Sequence, residues 1–191
     1  GVSRTRIRQV LIRLAQEQVV TILPNKGASI AQPTVDEARE VFEARTVVES
    51  VLVRYFIARA RQDDLKALAE CIEAEEAARK AGDHVTALRQ SGRFHLLLAQ
   101  AARHQTFEQF LRKLVSRTSL ILMSYGAAER ERPVRQAEPV RWVQSCRCED
   151  HRQLLGALKA AMRGKASADE AVGLMSSHLQ HIEAGLCFNE P

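Results

Sequence analysis

Three histidines stand where helical spacing turns them towards a core. His95 shares a stripe with Leu88, Leu98 and Ala102, His151 precedes Leu154, Leu155 and Leu158, and His178 falls between Leu174 and Ile182. One histidine on an apolar face is most often a satisfied core residue. Three on three different helices are a stronger signal, because bundle metal sites are assembled from facing helices and neutral imidazoles suit zinc or nickel. Arg45 is a fourth anomaly. It lies at helical spacing with Val41, Val48 and Leu52, so a permanent charge interrupts an apolar stripe and needs a carboxylate. Glu49, one turn later, supplies one; the sharper reading has Arg45 also facing a cavity, where it holds an anionic ligand. A rival metal arrangement, Cys146-x-Cys148-x-x-His151, has only three ligands nearby and no second cysteine pair, and reads as incidental thiols. His84, His104 and His181 read as surface or end-of-helix residues, with His181 the weaker alternative to His178.

A second chemistry is concentrated at the N-terminus. Residues 1–31 hold Arg4, Arg6, Arg8, Arg13 and Lys26 against Glu17 alone, so +4 of the chain's formal +5 lies there and the body is nearly neutral. That distribution points to a polyanionic partner for this segment. On a helix capped by Ser3, Arg4 and Arg8 share one face while Ile7, Val10, Leu11 and Leu14 form the other. Arginines in the first turns above an apolar back suit entry into a major groove. There arginine pairs bidentately with guanine, and the Ser3 and Thr5 hydroxyls reach phosphates or bases. Lys26 and the amide of Gly27 can approach the DNA backbone. The plain alternative is a solvated basic helix beside an ordinary hairpin.

The elements that must position these groups follow from punctuation and period. Val19–Leu23 is short and β-branched, residues 24–27 form a turn, and Ala28–Ala31 returns as a second strand. A helix followed by a hairpin is the second half of a winged helix. Pro33 ends it. Thr34-Val35-Asp36-Glu37 has the form of a capping box, which starts a long helix running to about residue 60. Further helices are expected near 64–80, 84–103, 106–125, 139–162 and 168–187, with an exposed Arg- and Glu-rich loop at 126–138. The fold class is therefore mainly α: a partial winged helix-turn-helix in residues 1–33, then an antiparallel six-helix bundle in 34–191. Helical periodicity begins within three residues of Gly1, so a chain cut inside a domain is expected. With 46% apolar and 27% charged residues the profile is globular, and no apolar run approaches the ~18 residues that span a bilayer. Four cysteines suit reduced thiols in a cytoplasm rather than a disulfide scaffold.

The string from Gly1 to Leu11, continued by Arg13-Leu14 and Asn25-Lys26-Gly27-Ala28, resembles the recognition helix and wing of GntR-family transcriptional regulators. Arg6 replaces the usual proline, Gln9 a glutamate and Lys26 an arginine. Two helices precede this string in the family. The body resembles the FCD ligand-binding domain of the FadR-like branch, in its six-helix, VanR-like form. Glu40-Val41-Phe42-Glu43-Ala44-Arg45 with Glu49, Arg93-Phe94-His95, Asp150-His151-Arg152 and His178-Leu179 carry that likeness. The resemblance implies double-stranded operator DNA contacted through Ser3, Arg4, Thr5, Arg8, Lys26 and Gly27. It also implies a homodimer, a divalent metal on His95, His151 and His178, and a small organic acid effector at Arg45, Glu49 and position 91. The family places an aspartate ligand one turn before the first histidine. Here that residue is Ser91, which is expected to weaken zinc or nickel binding.

These readings make the chain a regulator, not an enzyme, whose effector shifts the population between two arrangements. The competing class is a metal-dependent hydrolase, since three histidines and an open position could activate water. It lacks a convincing general base, because Glu49 is better explained as the partner of Arg45. A third reading is a module that only dimerises and senses.

Overall fold

Ser3 sits in extended backbone and its hydroxyl accepts from the Arg6 amide, which caps helix α1 (Arg4–Gln16). The fold was obtained as a computed structural model that describes residues 2–23, 26–125, 148–186 and 188. After α1, strand β1 (Val20–Leu23) pairs antiparallel with β2 (Gly27–Ile30), Val20 opposite Ile30 and Leu23 opposite Gly27. Gly27 has φ +86°, a region that costs any residue with a Cβ, so glycine is the residue that closes this hairpin. The apolar back expected for α1 is present but only partly covered: Ile7 and Val10 are 49% and 58% exposed, Leu11 and Leu14 are half-buried, and α1 contains no fully buried residue.

The long helix α2 (Val35–Arg59) begins as its sequence dictates. Thr34 N donates to Glu37 Oε2 (2.8 Å) and Glu37 N donates to Thr34 Oγ1 (3.1 Å), a complete capping box. Helices α3 (Gln62–Lys80), α4 (His84–Ala101), α5 (Gln105–Tyr125), α6 (Cys148–Met162) and α7 (Ala168–Ala184) follow. Asp83 caps α4 and Ser167 caps α7 through their side chains. The expected loop at 126–138 and the expected helical residues 139–147 lie outside the described residues.

α3, α4 and α5 pack in turn on one another, as α6 does on α7. α2 runs through the middle, packed on α4, α5, α6 and α7, while α3 packs on α4 and α6. Phe56, Leu68, Phe94, Leu98, Leu154, Leu158 and Met175 fill the main core. A smaller cluster joins Ala38 and Phe42 of α2 to Ile121 and Ile182 of α5 and α7. No described helix is long and apolar enough to cross a membrane.

Two polar contacts tie the first segment to the bundle. Tyr125 OH, at the end of α5, donates to the Pro33 carbonyl (2.6 Å), and Ser116 Oγ donates to Glu17 Oε2 (3.4 Å).

Candidate metal and acid-binding centre

α2 places Arg45 and Glu49 one turn apart, where i, i+4 spacing brings their side chains together. Arg45 Nε donates to Glu49 Oε1 at 2.7 Å, and both residues are buried. The other carboxylate oxygen of Glu49 takes a different partner, Nδ1 of His95 on α4, at 2.5 Å. α6 and α7 bring in His151 and His178, and all three imidazoles are buried. The nitrogens they offer lie within 4.8 Å of one another, and the Nε2 atoms of His95 and His151 are 3.4 Å apart. Phe94 stacks on His151 with ring centroids 4.3 Å apart, closing one side of the cluster.

Each ring turns its Nδ1 outward to a carboxylate. His151 Nδ1 lies 2.9 Å from Glu75 Oε2 and His178 Nδ1 lies 3.3 Å from Asp150 Oδ2. Glu75 is fully buried and also accepts from Arg79. His181, 65% exposed, stands 3.6 Å from Asp150 and outside the cluster. Burial pushes the His95 pKa down to about 4, against the pull of Glu49, and His178 down to about 3. Burial works to raise Glu49, but Arg45 and His95 outweigh it and hold the carboxyl at about 2. Asp150 is held low chiefly by its hydrogen bond with His178.

The donor set fits a divalent cation. His178 Nε2 is buried with no hydrogen-bond partner, beside two further imidazole nitrogens, and neutral imidazoles are ligands for zinc or nickel. Next to the cluster, Arg45, Ser91, His95, Thr118 and Ser119 line a cavity of about 20 Å³, room for about one water molecule. Arg45 Nη2 is likewise buried and unpartnered. Ser91 lies one turn before His95, on the cavity wall. Its neighbour Gly92 lets α4 lie close to α5, since a Cβ there would stand 3.1 Å from Val115 Cγ1.

Glu75 is not singled out by the sequence reading, and Asp150 enters it only as part of the Asp150-His151-Arg152 string. Glu75 did leave a signal: it interrupts the stripe of Leu68, Ile72 and Ala78, with Arg79 one turn on, as Arg45 interrupts its own. Asp150 adjoins His151 in sequence, and no helical period connects it to His178. The Cys146 and Cys148 side chains lie outside the described residues. His84 and His104 are half-buried, and His104 packs against Tyr55 and Phe107.

At the other end of the chain, Arg4, Thr5, Arg8 and Lys26 are exposed, and Ser3 spends its hydroxyl on the cap. Arg4 and Arg8 border one groove with Gly27 and Ala28, so helix and hairpin present a joint surface.

Residues 40–181 match the FCD domain family. No curated protein matches the chain. Among solved structures, the E. coli McbR/YncC protein superposes with a TM-score of 0.75 at 19% identity, over 94% of this chain and 82% of that one. A transcriptional regulator GntR from Rhodococcus sp. RHA1 gives 0.71 at 20% identity, over 96% and 79%. A GntR family member from Pseudomonas syringae pv. tomato str. DC3000 gives 0.58 at 22% identity, over 97% and 70%. At these identities the likeness is one of fold.

Proposed function

The chain belongs to the FCD-domain family, and on that footing we propose that it is a DNA-binding transcriptional regulator of the GntR type. In this reading residues 1–33 contact operator DNA, and residues 34–191 bind a small organic acid beside a divalent cation and pair with a second copy. One observation carries it: a family-matched bundle holding three converging imidazoles follows a helix and hairpin whose arginines and glycine share one groove.

His95, His151 and His178 would hold the cation, and the cation supplies a positive centre for an anionic ligand. Arg45 adds a second positive group, and its unpartnered Nη2 calls for an acceptor such as a carboxylate oxygen. Ser91 brings no charge, so the fourth ligand is left to water or the acid. The cavity beside it holds about one water molecule, so an acid of more than a few atoms must part α4 from α5. The hydrolase reading finds no support in this arrangement. Glu49, Glu75 and Asp150 are all engaged on the Nδ1 side of the rings, away from the Nε2 atoms where a water would be activated.

Selection of preferred duplexes, followed by titration of two variants, tests the DNA assignment. Arg8→Ala should cost ~1–3 kcal/mol and relax specificity at one position of each half-site. Lys26→Ala should weaken all sequences about equally and flatten the salt dependence. Equal, sequence-independent losses from both changes would remove the recognition-helix assignment. For the acid, thermal-shift screening of small organic acids should yield hits that Arg45→Met loses; hits retained undiminished would exclude Arg45 as the anchor.

A further inference from the structure

We propose that Glu75, with Glu49 and Asp150, is a positioning residue that fixes the tautomer and the aim of the three imidazoles. The inference deepens the cation reading above and takes its site from there. A neutral imidazole carries one N–H, and an ionised carboxylate only accepts. A ring nitrogen that faces such a carboxylate must therefore carry the hydrogen. His95 Nδ1 faces Glu49 Oε2 at 2.5 Å, His151 Nδ1 faces Glu75 Oε2 at 2.9 Å, and His178 Nδ1 faces Asp150 Oδ2 at 3.3 Å. All three hydrogens are thus drawn to the outside of the cluster. Three bare Nε2 lone pairs are left pointing inward, two of them 3.4 Å apart. Lone pairs at that spacing repel one another, and a shared cation turns the repulsion into ligation.

The carboxylates are themselves clamped. Glu49 gives its other oxygen to Arg45 Nε and Glu75 gives its other oxygen to Arg79 Nη2, each at 2.7 Å, so neither can swing away from its ring. Three carboxylates against these two guanidiniums leave one net negative charge around three neutral ligands, which favours a cation at the centre. Glu75 is the clearest case. It is fully buried, it lies on α3, and α3 contributes no imidazole to the cluster.

Glu75→Gln is the decisive variant because it keeps the shape and changes the hydrogen-bond logic. Arg79 continues to take the amide oxygen, so the amide NH₂ faces His151 Nδ1 and drives the ring hydrogen onto Nε2. Ring-nitrogen NMR of the metal-free protein at pH 8, with nickel and zinc titrations against a competing chelator, reads both consequences. Wild-type protein should show the hydrogen on Nδ1 of all three rings. Glu75→Gln should move it to Nε2 on His151 alone and weaken nickel binding roughly 10- to 100-fold. Glu76→Gln, which alters the neighbouring carboxylate paired with Arg152, should change neither. Asp150→Asn, at the more exposed end of the cluster, should repeat the effect on His178 if Glu75→Gln fails to fold. A wild-type hydrogen on Nε2, or an unchanged tautomer and affinity in Glu75→Gln, overturns the proposal. Wild-type rings protonated at Nδ1 in a protein that takes up neither metal would support the tautomer assignment while removing the cation reading.

Discussion

Buried imidazoles give the folded chain a pH dependence whose sign can be worked out. His95 is held at about 4 and His178 at about 3, both below the 6.5 of an exposed ring. Below pH 6.5 the unfolded chain therefore binds protons that the folded chain refuses. Stability is fully present above that pH and is lost as pH falls towards the folded values. Each ring contributes a slope of up to about 1.4 kcal/mol per pH unit. Glu49, ordinarily near 4.5 and here about 2, extends the loss between those values. Urea denaturation of the metal-free protein at pH 7.5, 6 and 5 should show a steady fall, whereas a flat profile would mean that the rings ionise inside the fold. Ser91 carries the second prediction at this scale. It stands one turn before His95, so Ser91→Asp adds a negative charge and a hard oxygen beside three neutral imidazoles. Zinc or nickel should bind more tightly and raise the melting temperature further than in the wild type. His95→Ala in that background should abolish the gain. An unchanged affinity in folded Ser91→Asp would mean that position 91 does not reach the ion.

Helices α1, α2, α4 and α7 start where a side chain accepts from a free amide, and that is why these starts were legible in the sequence. The Thr34–Glu37 box is a local pattern, complete within four residues, and it forms as read. Thr34→Ala should cost about 1 kcal/mol, measured as a shift in the denaturation midpoint. An unchanged midpoint would assign the start of α2 to the packing of Ala38 and Val41 alone. The Arg45–Glu49 pair is legible for the same reason, being one turn apart on one helix. Partnerships across the bundle are not. Glu75 meets His151 from 76 residues away and Glu49 meets His95 from 46, distances that no helical period encodes. Periodicity could say that three histidines face inward, but not that each has a carboxylate behind it. The apolar back of α1 marks a further boundary of this kind: the pattern defines a face without defining what covers it.

The basic N-terminal segment and the nearly neutral body meet largely at α5, and α5 also walls the cavity beside Arg45. Ser116, Arg117, Leu120, Ile121 and Tyr125 face the hairpin segment, while Val115, Thr118, Ser119 and Leu122 border the space beside Arg45 and Ser91. An acid too large for about 20 Å³ must move α4 or α5, and any movement of α5 shifts the helix that holds Pro33 through Tyr125. Occupancy of the cavity and the attitude of α1 then share one mechanical element, as a two-state switch requires. Linkage makes the effect reciprocal: if the acid alters operator affinity by some factor, operator DNA alters acid affinity by the same factor, typically roughly 5- to 150-fold. Tyr125→Phe removes only the hydroxyl that reaches the Pro33 carbonyl and leaves the cavity wall intact. Acid affinity of the isolated protein should stay unchanged, while the acid's effect on operator affinity shrinks towards none. Operator titrations with and without saturating acid, in wild type and Tyr125→Phe, measure the coupling directly. A variant that keeps the full coupling would show that the signal leaves the bundle by another route, with the Glu17–Ser116 contact the next to sever.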